Sequence, residues 1–217
     1  MTRIIITTGE QSELEKGIQD AISVLSKGGI VVLPTDTIYG LACSPFNENA
    51  VSRIFEIKRR SLDMALPLLL SSVESADLYV SEFPNQARML LDEFSPGALT
   101  LILPKKIQVP DIVTGGRDSV AVRIPDHPIP RKIADGIGGA IIGTSANRSG
   151  EPGITSGDAV CEILGHDVDM VLDAGETGGQ IESTIVDLTE EVPVVRRIGA
   201  ITRDAIETFY GHTVRVM

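Results

Sequence analysis

Six short polar clusters sit where apolar segments begin or end, and their residue types suit an anionic ligand. They are Pro34-Thr35-Asp36-Thr37 with Tyr39-Gly40, Lys58-Arg59-Arg60, Arg123 within 120–125, Thr144-Ser145-Ala146-Asn147, Glu182-Ser183-Thr184 and Arg196-Arg197. In α/β proteins the ends of strands and helices are where ligands bind. Taken singly, each cluster has a plainer reading. Lys58-Arg59-Arg60 reads as a solvated helix end favoured by the macrodipole. The 34–37 segment reads as a turn with a helix cap, and Ser145-Ala146-Asn147 as a capped loop. Ser183 and Thr184 could be plain strand residues, and Arg196-Arg197 an exposed strand end.

Other chemical signatures fail on spacing. No G-x-x-x-x-G-K-[ST] occurs, so a nucleotide would not be held by a P-loop. Gly136, Gly138 and Gly139 precede a strand and lack the third dinucleotide-loop glycine, position 141 being Ile, so they read as a turn. Gly143-Thr144-Ser145-Ala146-Asn147 falls one residue short of a nucleophile elbow, with His127, His166 and His212 as conceivable bases. Each His reads better as a turn or surface residue. Cys43 and Cys161 lie far apart, outside any C-x-x-C pair, and read as small buried hydrophobes rather than a zinc site or a disulfide.

The elements that must position these clusters follow from periodicity. Strands are expected over 3–7, 30–33, 65–70, 99–103, 119–124, 140–143, 170–172, 184–188 and 192–197. Ser12 with Glu15 forms a capping-box pattern before Leu14, Ile18, Ile22 and Leu25 at helical spacing, a helix ending at Gly28-Gly29. Asn47 can cap a helix carrying Val51, Ile54 and Phe55, which puts Lys58 on its core-facing side. Further helices are expected over 85–93, 129–135, 157–164 and 203–210. Alternation in 119–124 puts Val120, Val122 and Ile124 on one face and Ser119, Ala121 and Arg123 on the other, and small neighbours around one Arg suggest a concavity. Loose alternation of strands and helices without a repeat or long linker predicts one α/β domain over 1–217 with a mixed, twisted sheet.

Composition excludes several classes. Hydrophobic residues make up 42% of the 217, enough for a core and against disorder. The net charge of −11 repels phosphate backbones at long range, while aromatic residues are only 4% and do not alternate with basic ones. A nucleic-acid coat protein is thereby disfavoured, although screening still permits a local basic pocket. No segment approaches the apolar length of a membrane helix, and 1–8 lacks a signal-peptide core, so a cytoplasmic location is expected.

In order along the chain, P-T-D-T-x-Y-G-L, K-x-R, G-x-L-T, V-x-V-R-I-P, T-S-A-N-x-S-G, E-S-T-I-V-D and R-x-G-A-I resemble the YrdC-like family of threonylcarbamoyl-AMP synthases over 28–201. The resemblance implies an α/β domain with a large twisted sheet around a basic cavity; some members add a C-terminal domain, which is not expected within this sequence. It implies joining of L-threonine, bicarbonate and ATP into threonylcarbamoyl-adenylate with release of pyrophosphate, for a tRNA-modifying threonylcarbamoyl transferase complex downstream. By resemblance, Thr37, Arg123, Gly143 and Ser183 hold threonine, Gly143 through its backbone alone. Lys58, Arg60, Thr100, Ser145, Asn147 and Arg197 face ATP, with Lys58 and Arg60 serving catalysis. No protein metal site is implied; Mg2+ accompanies the triphosphate. Direct tRNA binding is expected to be weak or absent. The chain departs from the family pattern at Ser61, Met64 and Ala65, where Pro and Asn-Pro are usual, at Leu69, where some members carry a pocket His, and at Ile198, where Pro is usual. Two other readings remain: a paralogue making another carbamoyl-adenylate, and a non-catalytic RNA-binding module.

Overall fold

The computed structural model describes residues 3–6, 10–179 and 181–217. In chain order the elements are β1 (Arg3–Ile6), α1 (Gln11–Ser26), β2 (Val31–Leu33), β3 (Gly40–Cys43), α2 (Glu48–Lys58) and β4 (Leu68–Leu70). A 3-10 turn (Glu74–Leu78) leads to α3 (Asn85–Phe94), β5 (Leu99–Pro104), α4 (Asp111–Thr114), β6 (Ser119–Arg123), α5 (Pro128–Gly136) and β7 (Ala140–Ser145). The chain closes with α6 (Gly157–Leu164), β8 (Met170–Asp173), β9 (Thr184–Asp187), β10 (Val194–Arg197), α7 (Arg203–Tyr210) and β11 (Arg215–Val216).

All eleven described strands form one sheet in the order β1-β8-β2-β3-β7-β4-β6-β5-β9-β10-β11. It is mixed: β2 and β3 pair antiparallel, as do β3 and β7, β4 and β7, and β5 and β6, whereas β4 and β6, and β5 and β9, run parallel. One face carries the larger apolar layer, where Val32, Leu41, Leu68, Leu101, Val122 and Val186 pack with Ile54 and Phe55 of α2, Leu90 of α3 and Ile206 of α7. The opposite face is closed only in part. There Val31, Leu33, Ala42, Leu69, Ile141 and Leu172 pack against Ile18, Ala21 and Leu25 of α1 and Ile129 and Ile133 of α5. Helix α1 covers β8 and β2, and α5 covers β7 and reaches as far as β4. Beyond it, on β6, β5 and β9, the same face is a floor without a helical roof.

Several boundaries differ from the sequence expectations for local reasons. Thr7, expected to end the first strand, lies outside the described residues. Ser12 and Glu15 fall inside α1 rather than forming a capping box: Glu10 is the N-cap without a side-chain cap, and Glu15 accepts from Gln11 instead. Asn47 does cap α2, accepting from the Ala50 amide at 3.0 Å. The strand expected over 65–70 is paired only from Leu68, because Pro67 has no N–H to donate and the Leu66 amide turns to Val113. Strand β7 runs on through Thr144 and Ser145, which pair with Leu41 and Gly40 of β3, a strand too short and glycine-led to stand out by periodicity. Gly138 and Gly139 close the turn after α5 at φ of 104° and 98°, values that suit glycine.

Candidate active site

The open floor is the base of a cavity of about 780 Å³. Alternation builds it. On β6 Ser119, Ala121 and Arg123 face the cavity while Val120 and Val122 face the core; on β5 Thr100 and Ile102 do so between core-facing Leu99, Leu101 and Leu103; on β9 Ile185 and Asp187 flank core-facing Val186. Strand β10 would offer only one of its two arginines by the same rule, but its register slips by one residue. Val195 pairs with Val186, whereas Arg197 pairs with Ile185. The bulge at Arg196 lets both Arg196 and Arg197 line the cavity.

At one end Arg123, only 7% exposed, is fixed by three neighbours. Its Nε donates to the Gly97 carbonyl at 2.9 Å, Nη1 to Thr37 Oγ1 at 3.2 Å and Nη2 to Asp36 at 2.7 Å. A guanidinium has five N–H donors, so one remains on each Nη. Burial lowers the Arg123 pKa and the Asp36 carboxylate opposes that shift, so the group stays charged. The Thr35 hydroxyl donates to the Ile38 carbonyl at 2.7 Å. Its single proton is thereby spent, so Thr37 donates to Thr35 across 3.0 Å while accepting from Arg123. Tyr39, whose hydroxyl reaches Asp173 at 2.8 Å and the Gly175 carbonyl at 2.6 Å, anchors this loop to the core. Thr100 and Ser183 share a hydrogen bond of 2.8 Å beside it.

Toward the other side stand Arg60, Ser145 and Arg197. Arg60 Nη2 donates to the Ala65 carbonyl at 3.0 Å, and its buried Nε has no partner. Burial lowers its pKa, and so does nearby Arg197, while Glu182 acts against them. Arg197 pairs with Glu182 and donates from Nε to the Ser183 carbonyl at 3.0 Å. Lys58 and Asn147 lie behind the cavity wall. Lys58, 2% exposed, spends its ammonium on the Ser145 carbonyl at 2.5 Å, the Asn147 carbonyl at 2.8 Å and Asn147 Oδ1 at 3.0 Å. It therefore clasps the loop that presents Ser145. Burial, and then the charge of Arg60, bring its pKa down to about 8. Arg59, in the left-handed region at φ 51°, ends α2 and points away, lining a shallow outer pocket with Arg53 and Arg148.

Of the sequence-derived candidates, Thr37, Arg60, Thr100, Arg123, Gly143, Ser145, Ser183 and Arg197 line one cavity, with Lys58 and Asn147 directly behind it. A Ser-His hydrolase is corrected by the placement of the three His: none lines the cavity, and His127 caps α5 by accepting from the Ile129 amide at 3.3 Å. Ser145 Oγ lies 3.3 Å from the Lys58 ammonium, whose protons are already engaged by the Ser145 and Asn147 carbonyls and Asn147 Oδ1. Sequence reasoning left four features without a role: Asp36 as the partner of Arg123, the lining groups Arg117 and Arg196, and Asp187, which pairs with Arg196 at 2.8 Å. Alternation along 184–187 would have found Asp187; nothing local announces the bulge.

Comparison with known proteins gives the family and the fold. The Sua5/YciO/YrdC family pattern, described as "Telomere recombination", matches residues 23–199. The chain belongs to that family. It is 42% identical over 208 residues to the threonylcarbamoyl-AMP synthase of Pyrococcus abyssi, covering 96% of this chain and 61% of that protein. It is 36% identical over 208 residues to the threonylcarbamoyl-AMP synthase of Bacillus subtilis, covering 94% and 59%. The crystal structure of P. abyssi Sua5 complexed with L-threonine superimposes with a TM-score of 0.91 at 38% identity, over 100% of this chain and 62% of that one. The chain thus spans about three fifths of the length of these relatives.

Proposed function

We propose that the protein is a nucleotidyltransferase that makes L-threonylcarbamoyl-AMP from L-threonine, bicarbonate and ATP, for N6-threonylcarbamoyladenosine formation in tRNA. Residues 1–217 are read as one YrdC-like domain in the cytoplasm; among the described residues no helix is long and apolar enough to cross a membrane. The observation that carries the reading is convergence. One cavity joins a fixed guanidinium with two free N–H groups, at Arg123, to an arginine whose buried Nε has no partner, at Arg60.

In this reading the amino-acid carboxylate takes the two free donors of Arg123, a bidentate grip that a point charge could not supply. Thr37, the Thr100–Ser183 pair and the Gly143 backbone enclose the rest of the amino acid. The threonine amine adds to bicarbonate with loss of water, giving a carbamate. A carbamate oxygen then attacks the α-phosphorus of ATP, and the bond from that phosphorus to the bridging oxygen breaks as pyrophosphate leaves. Every reactant is an anion. Arg60, Arg197 and the Ser145 loop would hold the triphosphate in line for that attack, with Lys58 and Asn147 keeping the loop in place. Positioning and charge stabilisation then supply most of the rate. The two carboxylates lining the cavity, Glu182 and Asp187, are each held by an arginine. Mg2+ would accordingly arrive on the triphosphate through phosphate and water oxygens. The adenylate would pass to a threonylcarbamoyl transferase complex, with little direct binding of tRNA here.

The test is pyrophosphate release from ATP with threonine and bicarbonate supplied together and singly, the adenylate being identified by mass spectrometry. Release requiring both co-substrates is expected. Equal ATP turnover without threonine would remove the assignment.

A further inference from the structure

We propose that Leu69, seated over Gly143, is the residue that sets which amino acid this site accepts: it is an apolar wall that takes a β-methyl group and turns away longer side chains. The proposal rests on the amino-acid reading of the Arg123 end given above.

Leu69 belongs to two environments at once. It is 3% exposed and part of the layer packed under α1 and α5, yet it lines the cavity. In the sheet its register partner is Arg123 on the parallel neighbour β6, so the isobutyl group and the guanidinium stem rise side by side from one face. A ligand whose carboxylate grips Arg123 therefore lays its side chain within reach of Leu69.

Gly143 explains why the wall stands where it does. A Cβ built at Gly143 would lie 2.3 Å from both Cγ and Cδ1 of Leu69. Leu69 thus fills the room that any side chain at 143 would need. The Gly143 amide donates to the Pro67 carbonyl at 3.0 Å, which holds the two strands at this spacing. On its other flank Leu69 meets the packed layer containing Ile129, Ile133 and Ile141. Displacement into that packed layer costs overpacking, so the cavity is the easier direction. The two positions form a reciprocal volume pair: material added at 143 shrinks the pocket, and material removed at 69 enlarges it.

An apolar wall offers no hydrogen bond, so Leu69 selects by shape alone. One methyl more or less against such a surface changes binding by roughly 10- to 200-fold. A hydroxyl on the ligand must be read elsewhere, by the Thr35–Thr37 or Thr100–Ser183 pairs.

The experiment measures binding of threonine, serine, valine and leucine by calorimetry, without ATP, to the wild type, Leu69→Ala, Leu69→Val, Gly143→Ala and the Leu69→Ala/Gly143→Ala double variant. The wild type is expected to favour threonine over serine and leucine by tenfold or more. Leu69→Ala should raise leucine relative to threonine by at least tenfold, with Leu69→Val shifting the ratio in the same direction by less. Gly143→Ala should weaken threonine, and the double variant should recover most of that loss. Leu69→Val and Gly143→Ala carry the test if Leu69→Ala does not fold. An unchanged rank order, equal weakening of every amino acid, or no amino-acid binding by the wild type would overturn the proposal. Pyrophosphate release is assayed separately. Amino acids that bind in the expected order without turnover would sink the synthase reading and leave the wall standing.

Discussion

Under α1 and α5 the sheet face carries Val31, Leu33, Ala42, Ile141 and Leu172, whereas the continuation of that face on β6, β5 and β9 carries Ser119, Ala121, Arg123, Thr100, Ile102 and Asp187. The backbone is the same pleated surface in both halves. What differs is whether the outward positions can bury a helix. Large apolar side chains at the outward positions, Val31 and Leu33 on β2, Met170 and Leu172 on β8 and Ile141 on β7, draw two helices onto them. The mostly small and polar residues on β6 and β5 give a helix little to pack against, so that half stays open as the floor of the cavity. Leu69 on β4 is the boundary between the two.

The contrast predicts that variants in the covered half lose stability and variants in the open half lose ligand. Arg123→Ala should break it most severely, because it does both. It leaves Asp36, itself only 15% exposed at the side chain, without its cation, a loss of about 3 to 5 kcal/mol for a buried pair. Threonine binding should disappear by calorimetry even where denaturant titration finds folded protein. Leu25→Ala, at a fully buried site under α1, should cost about 2 to 5 kcal/mol in urea unfolding and leave threonine and ATP affinities within twofold.

Lys58 gives a smaller and more diagnostic effect. As pH rises through about 8 its ammonium loses a proton and the clasp on Ser145 and Asn147 loses a donor, so ATP affinity should fall above pH 8. In the unfolded chain the same lysine keeps its proton to about pH 10.4. Between those values the unfolded state binds more protons, so the contribution of this group to stability rises with pH while function declines. Lys58→Arg should move the functional decline to higher pH; a decline that stays in place assigns it to another group. Arg59→Ala is expected to be nearly silent for ATP, since Arg59 faces away from the cavity. Arg59→Gly should raise stability slightly by relieving a left-handed backbone at a non-glycine residue. Equal losses for Arg59→Ala and Arg60→Ala, confined to tRNA and steep in salt, would instead favour an RNA-binding surface.

Much of this was legible in the sequence because it obeys periods. Alternation in 119–124 separated Arg123 from the core, and helical spacing put Lys58 inside. Seven motifs in order joined segments that are distant in the chain. What stayed hidden depends on partners rather than on patterns. Strand β3 opens with glycine and has four residues, so it is recognisable only by its pairing with β2 and β7. The clasp makes Lys58 a neighbour of Asn147, but helical spacing could not say that its ammonium would end behind the wall rather than in the cavity. The bulge that turns Arg196 inward is a register shift between two strands, and no single strand records it. Leu69 stood out in the sequence only as a departure from the family's pocket His; its packing over Gly143 shows once the missing Cβ of Gly143 is set beside it.

The strand order also dictates when the site can exist during synthesis. Strand β3 finds its second partner only in β7, and β5 finds its second only in β9. The floor is therefore incomplete until Arg197 has left the ribosome, roughly 7 to 27 s after Arg60 at ordinary elongation rates. Until β7 emerges, the outer edge of β3 carries unpaired amides and carbonyls, an opening for mispairing with a second nascent chain. Chaperone occupancy should peak on chains that end between β3 and β7, and decline once β7 has closed that edge.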